Sequence, residues 1–472
     1  MIFARREFLK MGAAIGSLAV LEKTFGAEPP SGDPRRLGAG VHLLIDDDLI
    51  AMHDGFRRLI QPPARLPEPI VDAEHDKCFQ PYVSVIRDPD SKRFRLYYNT
   101  AVSASQSHIG YMESDDGVHF DRPHREFEDP GGLRIGFGVS VVDDGPGVSD
   151  PSRRYKLAWE NGGLFTAFSP DGLTWTPAAR ERVLDGIGDI TALSRDPIRK
   201  RYLLTCKVNS RPEDGYKGST PNAAEGTRRL VGQSISEDCI RWSPAQRIIV
   251  ADDKDEGVTE FYSIGQVIAR GGLLIGLLKV LRDDLPAEPG GDVHGIGYTV
   301  LAWTRDGRTW QRDREPFMDR NPTPGTWDRA MTWGDCLLPV EDEVFIYYGG
   351  YARGHKVERF KERQIGFARM KRDRFVARHA AGDGMLRTPA VTLDGSKLAI
   401  NADVAGELRV RLLDAAGKAM SGFDAGDCAP VRGDSLAHAI AWKRPLVELR
   451  GRPVQIEIVA REAKIFALEV AL

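Results

Sequence analysis

Acidic residues stand directly before several β-rich segments of this 472-residue chain, and the clearest are Asp76, Asp189 and Glu260. If those segments are the first strands of neighbouring sheets, the carboxylates converge on one pocket. There they would raise one another's pKa unless a cation or a proton intervened. Hydrolysis by an acid and a base, or by an acid and a nucleophile, requires one protonated carboxyl beside one ionised carboxylate. These three residues are the predicted catalytic carboxylates.

Polar side chains collect in the long connections predicted at the same end of the sheets, and long polar loops are where function concentrates. The longest connections are 209–230, 282–297 and 352–364. The predicted substrate-binding residues, suited to a hydroxyl-rich ligand, are His75, Glu160, Arg228, Arg282, His294, Asp328, Arg329, Trp333 and His355. Taken singly, the charged loop residues among them are also what a solvated surface loop would carry.

A seven-residue turn motif recurs four times and indicates a repeated structural unit. Its copies, at intervals of 55, 67 and 68 residues, are Ser114–Phe120, Ser169–Trp175, Ser236–Trp242 and Thr304–Trp310, with Arg372–Phe375 as a degenerate fifth. Such intervals are too long for helical solenoids and suit a four-stranded propeller blade with insertions. The Asp-Gly pair inside the motif favours a tight turn between two strands, and Cys239 replaces the glycine in the third copy.

Two apolar, β-rich segments precede each turn motif, so each unit is interpreted as a four-stranded meander. The aromatic residue that follows the glycine position by three could fill the gap between neighbouring blades. The sequence therefore predicts an all-β fold with a five-bladed β-propeller over residues 40–382. A generic antiparallel sandwich with Asp-Gly hairpins is the alternative.

The repeat stops after Gly384, and the remaining segments alternate apolar and polar residues. This pattern predicts a separate small β-sandwich over residues 385–472. Within it, 432–435 has the spelling of an adhesion tripeptide, Arg-Gly-Asp-Ser, and is interpreted as a turn.

The N-terminus resembles a twin-arginine export signal, with Arg5 and Arg6 before a mildly apolar stretch and small residues ahead of Pro29. The apolar stretch has about 11 residues, too few to span a bilayer as a helix. We expect residues 1–30 to be a signal peptide and the mature chain to be periplasmic or secreted, without an integral membrane segment. An ordinary N-terminal helix is the alternative.

Composition narrows the function classes. The formal net charge of −3 and the isoelectric point near 6.4 give no basic footprint for nucleic acid. Five widely spaced cysteines without a Cys-x-x-Cys pattern predict buried single thiols rather than a metal site.

The turn motifs, the meanders and the acids at strand starts together resemble the five-bladed propeller glycosidases of glycoside hydrolase families 32, 43, 68, 117 and 130. The trailing β-sandwich is similar to the arrangement in family 32. The resemblance implies an exported glycoside hydrolase that acts on polysaccharides or oligosaccharides. By position it implies Asp76 as base or nucleophile, Asp189 as an orienting or transition-state carboxylate, and Glu260 as general acid.

Two other functions stay open. A phosphorylase similar to family 130 would hold phosphate with Arg228, Arg282 and Lys356. A non-catalytic carbohydrate-binding propeller is favoured if the central carboxylates pair with arginines such as Arg329. No cofactor is required, and a Ca²⁺ site built from converging carboxylates and His294 is a further hypothesis.

Overall fold

The computed structural model of the chain describes residues 33–103, 106–216, 227–355 and 357–472, and its fold is nearly all β. Helical structure in the described residues is confined to short 3-10 turns at Pro130–Gly132, Pro151–Arg153, Pro212–Asp214, Ala425–Asp427 and Leu446–Leu449. The prediction of an all-β fold is confirmed. The predicted signal peptide lies outside the described residues.

Three four-stranded antiparallel sheets follow one another along the chain after a set of N-terminal strands. The N-terminal strands are β1 (Arg35–Leu37), β2 (Gly40–Leu43), β3 (Met52–Ile60) and β4 (Ala64–Arg65). The first sheet contains β5 (Cys78–Arg87), β6 (Phe94–Ser103), β7 (Gln106–Ser114) and β8 (Arg125–Phe127). The second contains β9 (Phe137–Asp143), β10 (Tyr155–Glu160), β11 (Leu164–Ser169) and β12 (Thr176–Pro177). The third contains β13 (Thr191–Asp196), β14 (Arg201–Asn209), β15 (Arg229–Ser236) and β16 (Gln246–Ile249).

A nine-stranded sheet comes next and contains two further meanders, joined by a parallel bridge between Gly297 and Met331. The fourth meander is β17 (Thr259–Ile264), β18 (Ile268–Arg270), β19 (Leu273–Arg282), β20 (Ile296–Thr304) and β21 (Gln311–Arg312). The fifth is β22 (Met331–Val340), β23 (Glu343–Tyr351) and β24 (Gln364–Lys371), with β4 as its outer strand. This last strand therefore comes from the N-terminal segment, not from residues after the fifth turn motif.

The turn motifs connect neighbouring meanders in a fixed direction. A side chain from the preceding meander donates to a backbone carbonyl of the next motif: Tyr347 to Gly117, Arg95 to Asp171, Arg153 to Asp238 and Arg201 to Gly307. Into the degenerate fifth motif, Arg270 forms a bidentate ion pair with Asp373 at 2.7 Å. The contacts return from the fifth meander to the first through Tyr347, and β22, β23 and β24 pack against β5.

The C-terminal strands form a separate eight-stranded sheet that also includes β1, β2 and β3. They are β25 (Val376–Arg387), β26 (Val391–Leu393), β27 (Lys397–Asp414), β28 (Val431–Ile440) and β29 (Val454–Ala471). β1, β2 and β3 pair with β26, β29 and β25, respectively. The strand pairing thus crosses the predicted boundaries, because residues 40–60 belong to this sheet rather than to the meanders.

Candidate functional site

Glu160 is the last residue of β10, and its Cα pairs across the ladder with that of Phe137 on β9. Its buried carboxylate accepts a hydrogen bond from the Gly162 backbone N–H at 2.5 Å. Burial raises the pKa of Glu160, and the charge of Asp189 raises it further, while the Gly162 amide and the Lys207 ammonium oppose the shift. Glu160 therefore keeps its proton to a higher pH than an ordinary glutamate does.

Asp189 lies two residues before β13 and forms an ion pair with Lys207 near the end of β14. Desolvation raises the pKa of Asp189, but the Lys207 ammonium lowers it, and the lowering prevails. A Cβ at Gly188 would lie 2.3 Å from Lys207 Cε, so the lack of a side chain at Gly188 leaves room for the lysine to reach Asp189. The surroundings therefore lower the pKa of Asp189 and raise that of nearby Glu160.

Glu260, at the start of β17, is fully buried and bound by Arg229 at the start of β15. The Arg229 guanidinium pairs with the carboxylate, and the Arg229 backbone N–H donates to Glu260 Oε1 at 3.1 Å. Asp283 Oδ2 lies 3.7 Å from the same guanidinium. Burial raises the pKa of Glu260, and Arg229 offsets part of that rise. Glu260 has the contacts of a carboxylate that fixes an arginine.

Tyr262 is a buried phenol surrounded by cations and aromatic rings. Its ring centroid lies 5.3 Å from the guanidinium carbon of Arg229 and 5.9 Å from Lys207 Nζ. Its hydroxyl is 3.2 Å from His355 Nε2, and its ring packs on Trp333 with a centroid distance of 4.6 Å. Burial raises the pKa of Tyr262 well above its ordinary value, so the hydroxyl stays protonated and available as a donor.

Asp76 shares no partner with Asp189 or Glu260 among the residues that the structure describes. Its buried carboxylate is held by Arg122, which donates from Nε at 2.9 Å and from Nη2 at 2.8 Å. The Asp72 backbone N–H donates to the same carboxylate at 3.1 Å. These contacts are those of a structural ion pair. The resemblance implied instead that Asp76 is a base or nucleophile.

The predicted substrate-binding residues divide into two groups. Glu160, Trp333 and His355 belong to the cluster around Asp189 and Tyr262 described above. His75 is exposed and pairs with Asp72 at 3.0 Å. The others are held by local contacts: Asp328 by Asn321, Arg329 by Glu288, Arg282 by Asp284, Arg228 by Thr227, and His294 by His355.

Lys207 and Tyr262 were not predicted as site residues, because Tyr262 begins an apolar segment interpreted as a first strand and Lys207 follows one interpreted as a second strand. One signal could have found Lys207. It is a lysine at the far end of the second strand, β14, and it lies opposite Asp189, which precedes the first strand, β13. Glu160 occupies the corresponding place on β10. The site therefore takes side chains from the ends of the second strands, β10 and β14, as well as from the residues before the first strands.

No group of three His, Cys, Asp or Glu side chains within the described ranges is arranged to hold a metal ion. Asp189 and Glu260 each face a cation, a donor set that does not fit Ca²⁺, which takes roughly six to eight oxygen ligands. The described cysteines are all free and buried. Across the described ranges, helices with the length and hydropathy needed to traverse a bilayer are absent.

Comparison with known proteins found no matching family model and no matching curated protein. Among solved structures, the chain is similar to a glycosyl hydrolase from Bacteroides ovatus, with 13% identity, 67% of this chain and 95% of that chain covered, and a TM-score of 0.42. It is similar to a family 43 arabinoxylan arabinofuranohydrolase from Bacillus subtilis, with 10% identity, 85% and 99% coverage, and a TM-score of 0.40.

A third similar structure comes from work on the GH130 family of mannoside phosphorylases, which contains glycoside hydrolases that target β-1,2 mannosidic linkages in Candida mannan. The identity is 13%, the coverage 67% and 95%, and the TM-score 0.42. At these identities and TM-scores the likenesses assign neither a substrate nor a catalytic residue to this chain.

Proposed function

We propose that the chain is a five-bladed propeller glycoside hydrolase in which Glu160 is the general acid and Asp189 is the general base or nucleophile. The observation that carries the proposal is the opposite displacement of the two pKa values at neighbouring strand ends. Two carboxyls whose environments separate their pKa values are the arrangement that acid–base hydrolysis uses.

In this mechanism Glu160 donates its proton to the glycosidic oxygen as the bond to the leaving sugar breaks. Asp189 either attacks the anomeric carbon or takes a proton from the attacking water, and Lys207 keeps it ionised for that step. The Tyr262 ring packs against the Lys207 ammonium and the Arg229 guanidinium. Asp76 has no part in the chemistry and stabilises the fold through Arg122.

The test is to incubate the full chain with a panel of plant, algal and bacterial oligosaccharides and to measure new reducing ends. We expect release of sugar from at least one of them, and its loss in Glu160→Gln. Turnover that depends on inorganic phosphate would instead identify a phosphorylase. Absence of product across a panel that the protein binds would reject the hydrolase.

The second candidate is a non-catalytic carbohydrate-binding propeller. It is favoured by one observation, that Asp189 and Glu260 are each paired with a cation. Binding of an oligosaccharide that is recovered intact after prolonged incubation would support this candidate.

Export by the twin-arginine route is part of the proposal and rests on the N-terminal sequence alone. The expected result is that replacing Arg5 and Arg6 by lysine keeps the protein in the cytoplasm of a bacterial host. An unchanged distribution between cytoplasm and periplasm would reject it.

A further inference from the structure

The connection between β23 and β24 contains a hydrogen-bonded turn that carries two arginines, Arg359 and Arg363. The backbone N–H groups of Lys361 and Glu362 donate to the Glu358 carbonyl at 2.8 and 3.0 Å. The Phe360 ring, next to Arg359 in the chain, stacks on Phe79 at 5.3 Å, and the charge of Arg363 acts on Arg359, so the two guanidinium groups lie close together. Because like charges in close proximity repel, this arrangement needs an explanation.

Arg363 is held by Tyr351 at the end of β23 and by Phe79 near the start of β5. Its side chain is buried, and its guanidinium carbon lies 5.0 Å from the ring centroid of Tyr351. Its Nη1 donates to the Phe79 carbonyl at 3.5 Å. The Phe79 ring stacks at 6.2 Å on Phe137, the residue that pairs across the ladder with Glu160. Arg363 is therefore fixed beside the strands that carry the proposed acid.

Arg359 has no ion-pair partner within the described ranges, and the acids of its own turn are already used. Glu358 lies 3.6 Å from Lys361, and Glu362 pairs with Arg353. Arg359 is half-buried, and burial together with the charge of Arg363 lowers its pKa. Among the charges that act on Arg359 is that of Asp189, which links it electrostatically to the proposed catalytic pair.

We propose that Arg359 and Arg363 form an oxyanion-binding subsite next to Glu160 and Asp189. A planar guanidinium matches the two oxygens of a carboxylate, sulfate or phosphate, and two of them in a partly desolvated place strengthen that match. The oxyanion is either carried by the sugar, as in a uronic acid or a sulfated sugar, or is free phosphate. The inference deepens the proposed function, on which it rests for the identity of the neighbouring groups.

The experiment is a calorimetric titration of the full chain with D-glucuronate, D-glucose 6-sulfate, inorganic phosphate and, as the uncharged reference, D-glucose. We expect at least one oxyanion to bind at least about tenfold more tightly than glucose, since a charge-assisted hydrogen bond is lost with the reference. Arg359→Met should weaken that binding by about tenfold or more. Arg359→Lys, which keeps the charge but loses the fork, should fall between Arg359→Met and the unaltered protein.

The matched control is Lys361→Met, which removes a cation from the same turn. The Lys361 side chain is 79% exposed. It should bind within about twofold of the unaltered protein, because an exposed charge contributes little. Preference for glucuronate or the sulfated sugar supports a sugar-borne oxyanion, and preference for phosphate supports the free ion. The subsite is rejected if no oxyanion binds better than glucose, or if Arg359→Met binds as well as the unaltered protein.

Titration needs no turnover, so this result is separable from the proposed hydrolysis. Oxyanion binding without release of sugar from any oligosaccharide would retain the subsite and reject the hydrolase. Release of sugar with unchanged binding in Arg359→Met would do the reverse.

Discussion

The surroundings of Glu160 and Asp189 shift their pKa values in opposite directions, although both carboxyls lie at strand ends. Burial dominates at Glu160, whereas a lysine partner dominates at Asp189. In a pH profile of kcat/KM, the alkaline limb should report loss of the Glu160 proton, above the ordinary value of 4.5. The acid limb should report protonation of Asp189, below the ordinary value of 3.8. The optimum should lie between the two limbs.

A general acid matters most when the leaving group is poor. We predict that Glu160→Gln lowers kcat/KM by about a hundredfold or more on a natural oligosaccharide, in line with the usual contribution of proton transfer. The loss should be much smaller on the matching nitrophenyl glycoside, whose leaving group needs no proton. Steady-state kinetics on the two substrates gives the comparison, and an equal loss on both would remove Glu160 from the acid role.

The ammonium of Lys207 lowers the pKa of Asp189, so removing that ammonium should raise the pKa. We predict that Lys207→Met raises the pKa of Asp189 and moves the acid limb of kcat/KM to higher pH. Lys361→Met, which removes an exposed cation from another loop, is the control and should leave the limb in place. An unmoved limb in Lys207→Met would mean that Asp189 does not set it.

At the residue scale, the sequence could predict that acids occur near strand starts, but not what each acid contacts. The acids at strand starts are present, but the partner of each is set by tertiary contacts. Asp76 meets Arg122, which is 46 residues away, and the sequence alone does not reveal that this arginine takes it. Glu160 was expected to bind substrate, and Lys207 was hidden by its apolar neighbours.

At the scale of the elements, the turn motif is built by its own side chains. In the first copy, Asp116 Oδ1 accepts from the backbone N–H groups of Val118 and His119, both at 2.8 Å. Ser114 Oγ accepts from the Gly117 N–H at 2.9 Å, and the other three complete copies repeat this pattern. Because the bonds are local, the motif could be recognised without knowledge of the fold.

Loss of the motif aspartate should therefore destabilise the protein. We predict that Asp116→Ala lowers the free energy of unfolding by about 1–3 kcal/mol, since backbone donors lose their acceptor. Asp115→Ala is the control, because Asp115 is 89% exposed and its contact is an ion pair with Arg93 at 3.2 Å. Urea unfolding followed by circular dichroism measures both, and equal effects would contradict the assigned role of Asp116.

The outer strand of the fifth meander could not be predicted from the repeat. The degenerate motif at 372–375 predicts a fourth strand after it, yet the chain continues into β25 of the C-terminal sheet. The strand β4, about three hundred residues earlier, takes that place by pairing with β24. A sequence repeat can predict the outer strand of a meander only when that strand directly follows the other three in the chain.

At the scale of the whole molecule, the turn motifs also make stability depend on pH. Backbone and side-chain hydrogen bonds outweigh desolvation and lower the pKa values of Asp116, Asp171, Asp238 and Asp306, that of Asp238 to about 2. A carboxylate whose pKa is lowered on folding stabilises the native state above its unfolded pKa, about 4. The contribution is lost as the pH falls through the folded values.

We predict that the melting temperature is nearly constant from pH 6 to 5 and falls steadily between about pH 4 and pH 2. In Asp238→Asn, which no longer titrates at that position, the fall should be smaller. Differential scanning calorimetry at several pH values measures the slope. A melting temperature that does not change between pH 4 and pH 2 would contradict the prediction.

The global arrangement was partly accessible from the sequence. Repeated turn motifs predict the meanders and their order, because hairpin neighbours pair locally. The pairing of β1–β3 with β25, β26 and β29 was not predicted, since it joins strands more than three hundred residues apart and carries no repeat. The 432–435 segment, interpreted from the sequence as a turn, lies within β28 instead, and its Arg432 and Asp434 side chains form ion pairs with Glu407, Lys371 and Arg374.

The central claim is that catalysis depends on Asp189 and not on Asp76. The direct measurement is the rate of reducing-sugar release by folded Asp189→Asn and Asp76→Asn under identical conditions. The account predicts a loss of about a hundredfold or more in Asp189→Asn, with Asp76→Asn active but less heat-stable. An inactive, folded Asp76→Asn beside an active Asp189→Asn would contradict it.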